Sequence, residues 1–325
     1  MEYNDCKIYL IDVLSIKKKI SQYLPDDKTY LINQILAEYD KEYNLNFKYE
    51  DISFIFEKNE DFIISPLTKS YQDNFFYLNY YGRPINFFYF IQKDHSIINI
   101  FNKYFYDFIK ENKFNNIKVI KENNNLLDNF FNNEDIKSIY EETIIDLTLP
   151  LEKIYSQLNK SHRWNINKGR RQLNYYIYDY KNYPDNEIFE MMDMHKNVSG
   201  RQTRSNLSWE INERMIKNNN GFLIKTKLHK LTISYSFFFH DENSCVYFSS
   251  CTLRDYFKYS VNHFSIWNAI THCKSLGIKT FFIGRSKTLY INEVQDEKEK
   301  SIEEFKGLFG GIKKKIYEYN KIIQR

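Results

Sequence analysis

The sequence predicts an α/β (α+β) chain of two lobes, each with a mixed central sheet flanked by helices. Two observations predict it. Strand-length runs rich in Ile, Phe and Tyr alternate with helical stripes along the chain, the pattern of sheets covered by helices. The order of these elements then repeats. It reads hairpin, strand, helix, strand in the first part and strand, helices, antiparallel strands, helix, strand in the second, without matching residues. The division falls in the Asn-rich stretch ending at Asp135, so the lobes are residues 1–135 and 136–325.

Residues up to about Tyr43 read as charged helix, with Ile16, Ile20, Tyr23, Leu31, Ile35 and Leu36 as apolar positions. Ile52–Phe56 and Phe62–Ile64 are two strands of a hairpin joined through Glu57–Asp61. Tyr80–Pro84 is a turn, followed by an aromatic strand from Ile85 to Ile91. Ser96–Asn112 is a helix that turns Ile97, Ile100, Phe101, Tyr104, Phe105 and Phe108 inward, and Asn116–Ile120 is a strand. Asn123–Asp135 crosses to the second lobe.

There, Thr143–Leu147 is a strand, and Pro150 opens a helix bearing Leu151, Ile154 and Leu158 that continues into the basic run Lys160–Arg171. Asn174–Tyr180 is a strand, Asp185–Val198 and Ser208–Asn218 are helices, and Gly221–Leu228, Leu231–Phe239 and Ser244–Cys251 are three strands. Asn262 caps a helix with Ile266, Ala269, Ile270, Cys273 and Leu276 as its apolar stripe, and Gly277 ends it. Lys279–Ile283 is a short buried strand. Ser301-Ile-Glu-Glu304 has the form of a capping box starting a last helix, which stops at Gly310-Gly311. That helix would carry Ile302, Phe305, Leu308 and Phe309 on one face and Lys306 off it.

Composition narrows the class without naming a reaction. At 325 residues the chain has room for two ordinary domains. The 28 Tyr and 27 Phe, beside only 9 Gly and 5 Pro, point to an AT-rich genome more than to a function. A net charge of +4 permits nucleotides, tRNA or lipid headgroups as partners but requires none. No aromatic interleaving or repeat spacing argues for general nucleic-acid binding, so DNA is not an expected partner. Cys6, Cys245, Cys251 and Cys273 show no metal-like pairing and read as small core residues; in one continuous strand Cys245 and Cys251 would share a face. The histidines form no H-x-x-x-H or Cys/His cluster, so no metal site is expected. No apolar run is long enough to span a bilayer and no signal peptide is visible, which makes the cytoplasm the expected compartment. The absence of G-x-S-x-G, G-x-G-x-x-G and P-loop motifs removes serine hydrolase, Rossmann and NTPase readings.

Two polar stretches could carry chemistry. Between His195 and Trp209, Arg201 and Arg204 stand beside Gly200 and hydroxyl residues, a set of donors suited to phosphate or carboxylate oxygens. The same stretch also reads as a solvated loop between helices. In the basic run, Arg163, Lys168, Arg170 and Arg171 read either as a phosphate grip or as cations at a helix C-terminus, where the dipole stabilises them by ~0.3–1 kcal/mol.

The run W-x-A-I-x-x-C-K-S-x-G-I-K-x-F-F-x-G from Trp267, followed by F-K-G-L-F-G-G at Phe305–Gly311, resembles the Fem-type transferases, double-domain relatives of the GNAT acyltransferases. H-x-x-x-S-G-R-x-T-R-x-x-x-S-W from His195, and Leu253-Arg-Asp-Tyr-Phe257 with His263 and Trp267 after it, resemble a Fem-like branch associated with cell-surface sugar biosynthesis. The resemblance spans about Tyr140 to Gly311; the first lobe matches in element order and loosely at Tyr81-Gly-Arg-Pro84. Many relatives have an acid on the strand where this chain has Phe282 or Ile283, so no role resting on that acid carries over.

The resemblance implies two GNAT-like domains and transfer of an acyl or aminoacyl group to an amine on a cell-surface sugar or envelope precursor. Acyl-CoA is the favoured donor and aminoacyl-tRNA, as in peptidoglycan branch synthesis, the alternative. Lys306, Tyr247 and His263 are the implied catalytic residues. Arg163, Arg171, Arg201, Arg204, Ser249 and Phe305 are the implied substrate contacts. Thr252–Asn262 contains no glycine, whereas GNAT enzymes hold the CoA pyrophosphate on a glycine-rich turn there. That departure keeps open a different class, a GNAT-like pair acting only as a binding module.

Overall fold

The computed structural model describes residues 2–10, 33–44, 46–72, 75–121, 126–290 and 294–323. The first part runs β1 (Glu2–Tyr3), β2 (Cys6–Leu10), α1 (Gln34–Tyr43), β3 (Lys48–Asp51), β4 (Phe54–Lys58), β5 (Asp61–Ser65), β6 (Thr68–Gln72), β7 (Phe75–Asn79), β8 (Phe88–Phe90), α2 (Ser96–Asn112) and β9 (Asn116–Lys121). The second runs β10 (Ile136–Asp146), α3 (Leu151–Gln157), α4 (Lys160–Gln172), β11 (Asn174–Tyr178), α5 (Glu187–Ser199), α6 (Asn206–Lys217), β12 (Gly221–Leu228), β13 (Leu231–His240), β14 (Ser244–Thr252), α7 (Val261–Ser275), β15 (Thr280–Tyr290), α8 (Glu297–Gly307) and β16 (Ile312–Ile322).

Among the described residues these strands form two sheets. One has the order β1-β2-β4-β5-β8; the other has eleven strands in the order β11-β12-β13-β14-β15-β10-β16-β9-β7-β6-β3. β16 lies antiparallel between β10 and β9, so within the eleven-stranded sheet it joins the strands of the first part to those of the second. The mixed sheet with helices on it is the α/β class that the alternating patterns predict.

Each face of the second-part sheet has its own core. Ile145, Phe222, Phe238, Cys245, Phe281 and Ile283 pack under α3, α4 and α7. Leu223, Tyr235, Phe237, Phe239 and Cys251 pack under α5 and α6. Phe237, Phe238 and Phe239 are all fully buried, which needs a strand covered on both faces. Each such ring contributes ~1.5–3 kcal/mol by leaving water. The first part buries Phe54, Phe56, Phe101, Phe105 and Phe114 around α2 in a network of edge and stacked rings. No helix among the described residues is long and apolar enough to cross a membrane.

Several sequence expectations are corrected here. Cys6–Leu10 is a strand paired with β4, not part of a leading helix, and Ile16, Ile20, Tyr23 and Leu31 lie outside the described residues. β3, β6 and β7 were not expected, and the strand proposed for Ile85–Ile91 shrinks to Phe88–Phe90. The helix opened by Pro150 does not run into the basic stretch: Leu158 is extended, and Asn159 caps α4 afresh by accepting from the Ser161 amide. Asn262 does not cap α7; Ser260 holds that place in a left-handed conformation, and Asn262 Oδ1 accepts from Thr252 Oγ1. α8 starts at Glu297 behind Asp296, whose side chain accepts from the Lys298 amide, so Ser301 is mid-helix and the capping box is absent. Ile302 and Leu308 are exposed rather than on the buried face with Phe309. Cys245 and Cys251 lie on opposite faces, because a bulge at Phe248 shifts the register between them.

Gly310 and Gly311 close the chain against the core. Both have positive φ, and a Cβ at Gly311 would stand 2.3 Å from the Ile144 carbonyl oxygen. Gly311→Ala is therefore expected to cost about 2–4 kcal/mol of stability, from strain and overpacking together. A urea unfolding midpoint unchanged from the parent would refute that placement.

Candidate active site

The site begins where two parallel strands part. β14 and β15 pair only at Ser244↔Thr280, Cys245↔Phe281 and Val246↔Phe282. Beyond these, β14 stays with β13 through the bulge at Phe248, and β15 stays with β10 through two register shifts, between Glu141 and Glu142 and between Thr143 and Ile144. Bulges bend and twist the strand that carries them. The result is a notch with Tyr247–Thr252 on one wall and the chain from Ile283 on the other, along which facing main-chain groups have no ladder partner across the gap.

The same arrangement occurs in the first part. β7 and β9 are parallel, joined through α2, and pair only at Tyr77↔Asn116 and Leu78↔Ile117. There the gap is filled: the Ile85 amide donates to the Lys118 carbonyl at 2.8 Å, and the Ile85 carbonyl accepts from the Ile120 amide at 2.8 Å. The Tyr-Gly-Arg-Pro turn brings that segment in, with Arg83 paired to the buried Asp40 at 2.6 Å. Of the two partings, only the second is left open by the main chain of the described residues.

Lys306 reaches the open one from the last turn of α8. A Cβ built on Gly284, the residue that follows the divergence of β15, would lie 3.2 Å from Lys306 Nζ. The side chain is half-buried, and among the described residues its ammonium has no carboxylate or hydrogen-bond partner. Burial lowers its pKa, against the pull of Glu303 and with the help of Arg285. Glu303 itself is engaged by Thr288 Oγ1 and by Gln295 Nε2, the latter at 2.6 Å. The rest of the motif is accounted for by packing: Phe309 is in the core, Leu308 O accepts from the Asn159 amide at 3.0 Å, and the glycines press on Gln157 and Ile144. Lys306 is the member of that run whose polar group packing does not explain.

Two histidines pack against its neighbours Phe305 and Phe309. His162 on α4 and His263 on α7 meet edge to face at 4.5 Å between ring centres, with Phe305 4.9 Å from His263 and Phe309 4.6 Å from His162. Ser260 Oγ donates to Asn165 Oδ1 at 2.7 Å, which leaves the Asn165 amide to donate to His263 Nε2 at 3.4 Å. Burial, then the neighbouring His162, pushes the His263 pKa down to about 3. The lowered pKa keeps the His263 ring neutral, with Nε2 turned to the Asn165 amide. Sequence reading missed His162 and Asn165, whose partners lie about a hundred residues or more away along the chain.

Of the remaining expected residues, Tyr247 and Ser249 stand on the β14 wall. Tyr247 stacks on Phe238, its hydroxyl 2.5 Å from Ser250 Oγ, and burial pushes its pKa up to about 12. Ser249 pairs with Phe237 and so lies on the opposite face, its buried hydroxyl without a partner among the described residues. Arg163 is committed to main-chain carbonyls, Ser156 O at 2.9 Å and Leu158 O at 2.5 Å, which closes the C-terminal end of α3. Arg171 is exposed in the last turn of α4. Arg204 donates from Nε to Tyr39 Oη at 2.8 Å, touches His195 Nε2 at 3.2 Å and lies over Trp209, while Arg201 is exposed. Among the described residues no three His, Cys, Asp or Glu side chains converge as metal ligands do.

Parted parallel strands, a helix leading from one to the other, and the same unit twice in one chain define a tandem GNAT-like fold. It is the double fold of the Fem-like proteins. FemX superposes with a TM-score of 0.63 over 98% of this chain and 97% of its own, at 10% identity. L-PGS from Bacillus licheniformis gives 0.56 over 97% and 93%, at 10% identity. A tandem GNAT protein from the clavulanic acid biosynthesis pathway gives 0.51 over 98% and 99%, at 5% identity. At these identities the likeness is one of fold. No family model and no curated protein sequence matches the chain.

The two arginines of the α5–α6 loop separate by experiment. Arg204→Ala strands the buried Tyr39 hydroxyl and is expected to destabilise by about 1–3 kcal/mol, whereas Arg201→Ala stays within ~0.5 kcal/mol. Thermal unfolding of both variants checks this, and equal effects would contradict it.

Proposed function

We propose that the protein is an N-acyltransferase whose reaction takes place in the β14–β15 notch. The observation that supports it best is the half-buried, unpaired Lys306 ammonium held against Gly284 on the wall of that notch. The amine nitrogen of the acceptor attacks the acyl carbonyl carbon, a C–N bond forms, and the bond to the leaving sulfur or oxygen breaks. The amine loses a proton and the leaving group gains one. Developing negative charge on the carbonyl oxygen or leaving group is met by Lys306 and by unpaired main-chain amides of the strand edges, donors that are in place before reaction. Alignment of the two reactants in the notch supplies the rest.

We place the acceptor among amines of cell-surface sugars or envelope precursors, the class implied by the resemblance at S-G-R-x-T-R and L-R-D-Y-F. Acyl-CoA is the first-ranked donor. The start of α7 has no side-chain cap, so its first amides suit a phosphate. A second reading, aminoacyl-tRNA as donor, is favoured by the same junction, because Thr252–Asn262 has no glycine and is tied by the Thr252–Asn262 and Ser260–Asn165 hydrogen bonds. Acyl-CoA should accordingly bind weakly, with Kd on the order of 10–1,000 μM. Titration of acyl-CoA beside charged tRNA, each at two salt concentrations, separates the readings. Steeply salt-sensitive tRNA binding without a CoA signal would replace the first with the second. Silence toward both would leave a binding module.

Lys306→Ala should abolish transfer without lowering the melting temperature, because it removes a half-buried charge that has no close partner among the described residues. The pH profile gives the sign. The lowered pKa means the ammonium is lost at a lower pH than for a free lysine, so activity should fall as pH rises through that value. Lys306→Arg keeps its charge and should move any residual alkaline limb upward; an unmoved limb assigns it to another group.

A further inference from the structure

We propose that His162 is the positioning residue for Lys306: its ring N–H holds the Phe305 carbonyl, and through that peptide it sets where the ammonium stands against Gly284. The catalytic meaning of this rests on the transfer reading above; the geometric claim does not.

The last turn of a helix leaves carbonyls without intrahelical partners. In α8 the Phe305 and Lys306 carbonyls receive only long bonds from the Leu308 and Phe309 amides, 3.4 and 3.3 Å. His162 Nε2 reaches Phe305 O at 2.9 Å. The carbonyl of Phe305 and the nitrogen of Lys306 belong to one rigid peptide plane, so this bond fixes the root of the lysine side chain.

A carbonyl only accepts, so Nε2 carries the proton and Nδ1 is bare; Nδ1 is buried and has no partner among the described residues. One hydrogen bond therefore decides the ring's orientation, while Phe309, His263 and Phe305 hold its faces and edge. Burial lowers the His162 pKa, which keeps the ring neutral and the tautomer unchanged. For packing alone, an apolar side chain of this size would avoid the cost of burying two ring nitrogens. The polar ring is explained by the carbonyl it holds.

Gln and Asn test this cleanly, since Gln Nε2 reaches about where His Nε2 does and the shorter Asn amide does not. His162→Ala and His162→Asn should lower kcat by about 100-fold, the effect of a misplacement of about 1 Å, with acceptor KM changed far less. His162→Gln should restore most of it. The second readout needs no activity: the Lys306 side-chain titration followed by NMR, with Glu303, Glu299, Arg285 and Glu142 as the charged groups facing it. It should move up toward an ordinary lysine in the Ala and Asn variants and stay low in Gln. If Ala fails to fold, the Asn–Gln pair still decides. Unchanged Lys306 titration in both Ala and Asn overturns the proposal. A titration that moves as stated in a protein that transfers nothing leaves the positioning intact and removes the transferase reading.

Discussion

The structure depends on one constraint, that β14 and β15 start together and are then pulled apart by their other neighbours, β13 and β10. Three parallel pairs hold their beginnings, after which β13 and β10 each claim one strand for its remaining length. An interior sheet rarely tolerates such a gap, because buried main-chain groups need partners. It is tolerated here because bulges turn the strands gradually, and because α8 lies along β15 and delivers Phe305, Lys306 and Phe309 to the mouth. The glycines that end α8 follow from that delivery. The chain must reverse directly over the Gln157 and Ile144 carbonyls, where no side chain fits.

The order of helices and strands in the second part was legible because its signals are local. Three strands of near-continuous apolar character, a buried helical stripe and Gly277 at a positive φ each follow from a few neighbouring residues. The bulges were not legible. Ile283, Phe248 and Ser286 carry no mark that distinguishes them from ordinary strand residues, and the register is set by strands distant in the chain. The error over Cys245 and Cys251 has that origin. The helix start assigned to Ser301 failed for another reason: a serine three residues before a glutamate satisfies the capping pattern, but Asp296 does so earlier and with the hydrogen bond to show for it.

Of the residues expected at the site, Lys306, Phe305, Tyr247, Ser249 and His263 lie on or beside the notch, and they were named through resemblance rather than through physics. Charge density drew attention to Arg163 and Arg204, yet in the structure both are engaged by the protein itself. Arg163 closes the end of α3; Arg204 ties the α5–α6 loop to Tyr39 on α1 and so links the two parts of the chain. Arginine forks satisfy main-chain carbonyls and buried hydroxyls as well as phosphates, and composition alone does not separate these uses. His162 was overlooked for the converse reason. It sits inside a conspicuously basic run, and its partner is 143 residues away.

The comparison between the two partings gives the tandem arrangement a physical rationale. In the first part, Ile85 supplies the missing ladder bonds to β9, so that gap is satisfied internally and its polar edges are withdrawn. The turn that places Ile85 is held by the Arg83–Asp40 pair, with Asp40 on α1. α1 in turn meets the second part through Tyr39 and Arg204. The filled parting is thus the anchored one, and its sheet reaches the second part through β9 and β16. β16 follows directly on the glycines that end the Lys306 helix. One parting spends its backbone polarity on the fold and braces the chain; the other leaves that polarity open, and the strand that joins the first-part and second-part strands of the eleven-stranded sheet also holds the end of α8 through Lys313 and the Gly307 carbonyl.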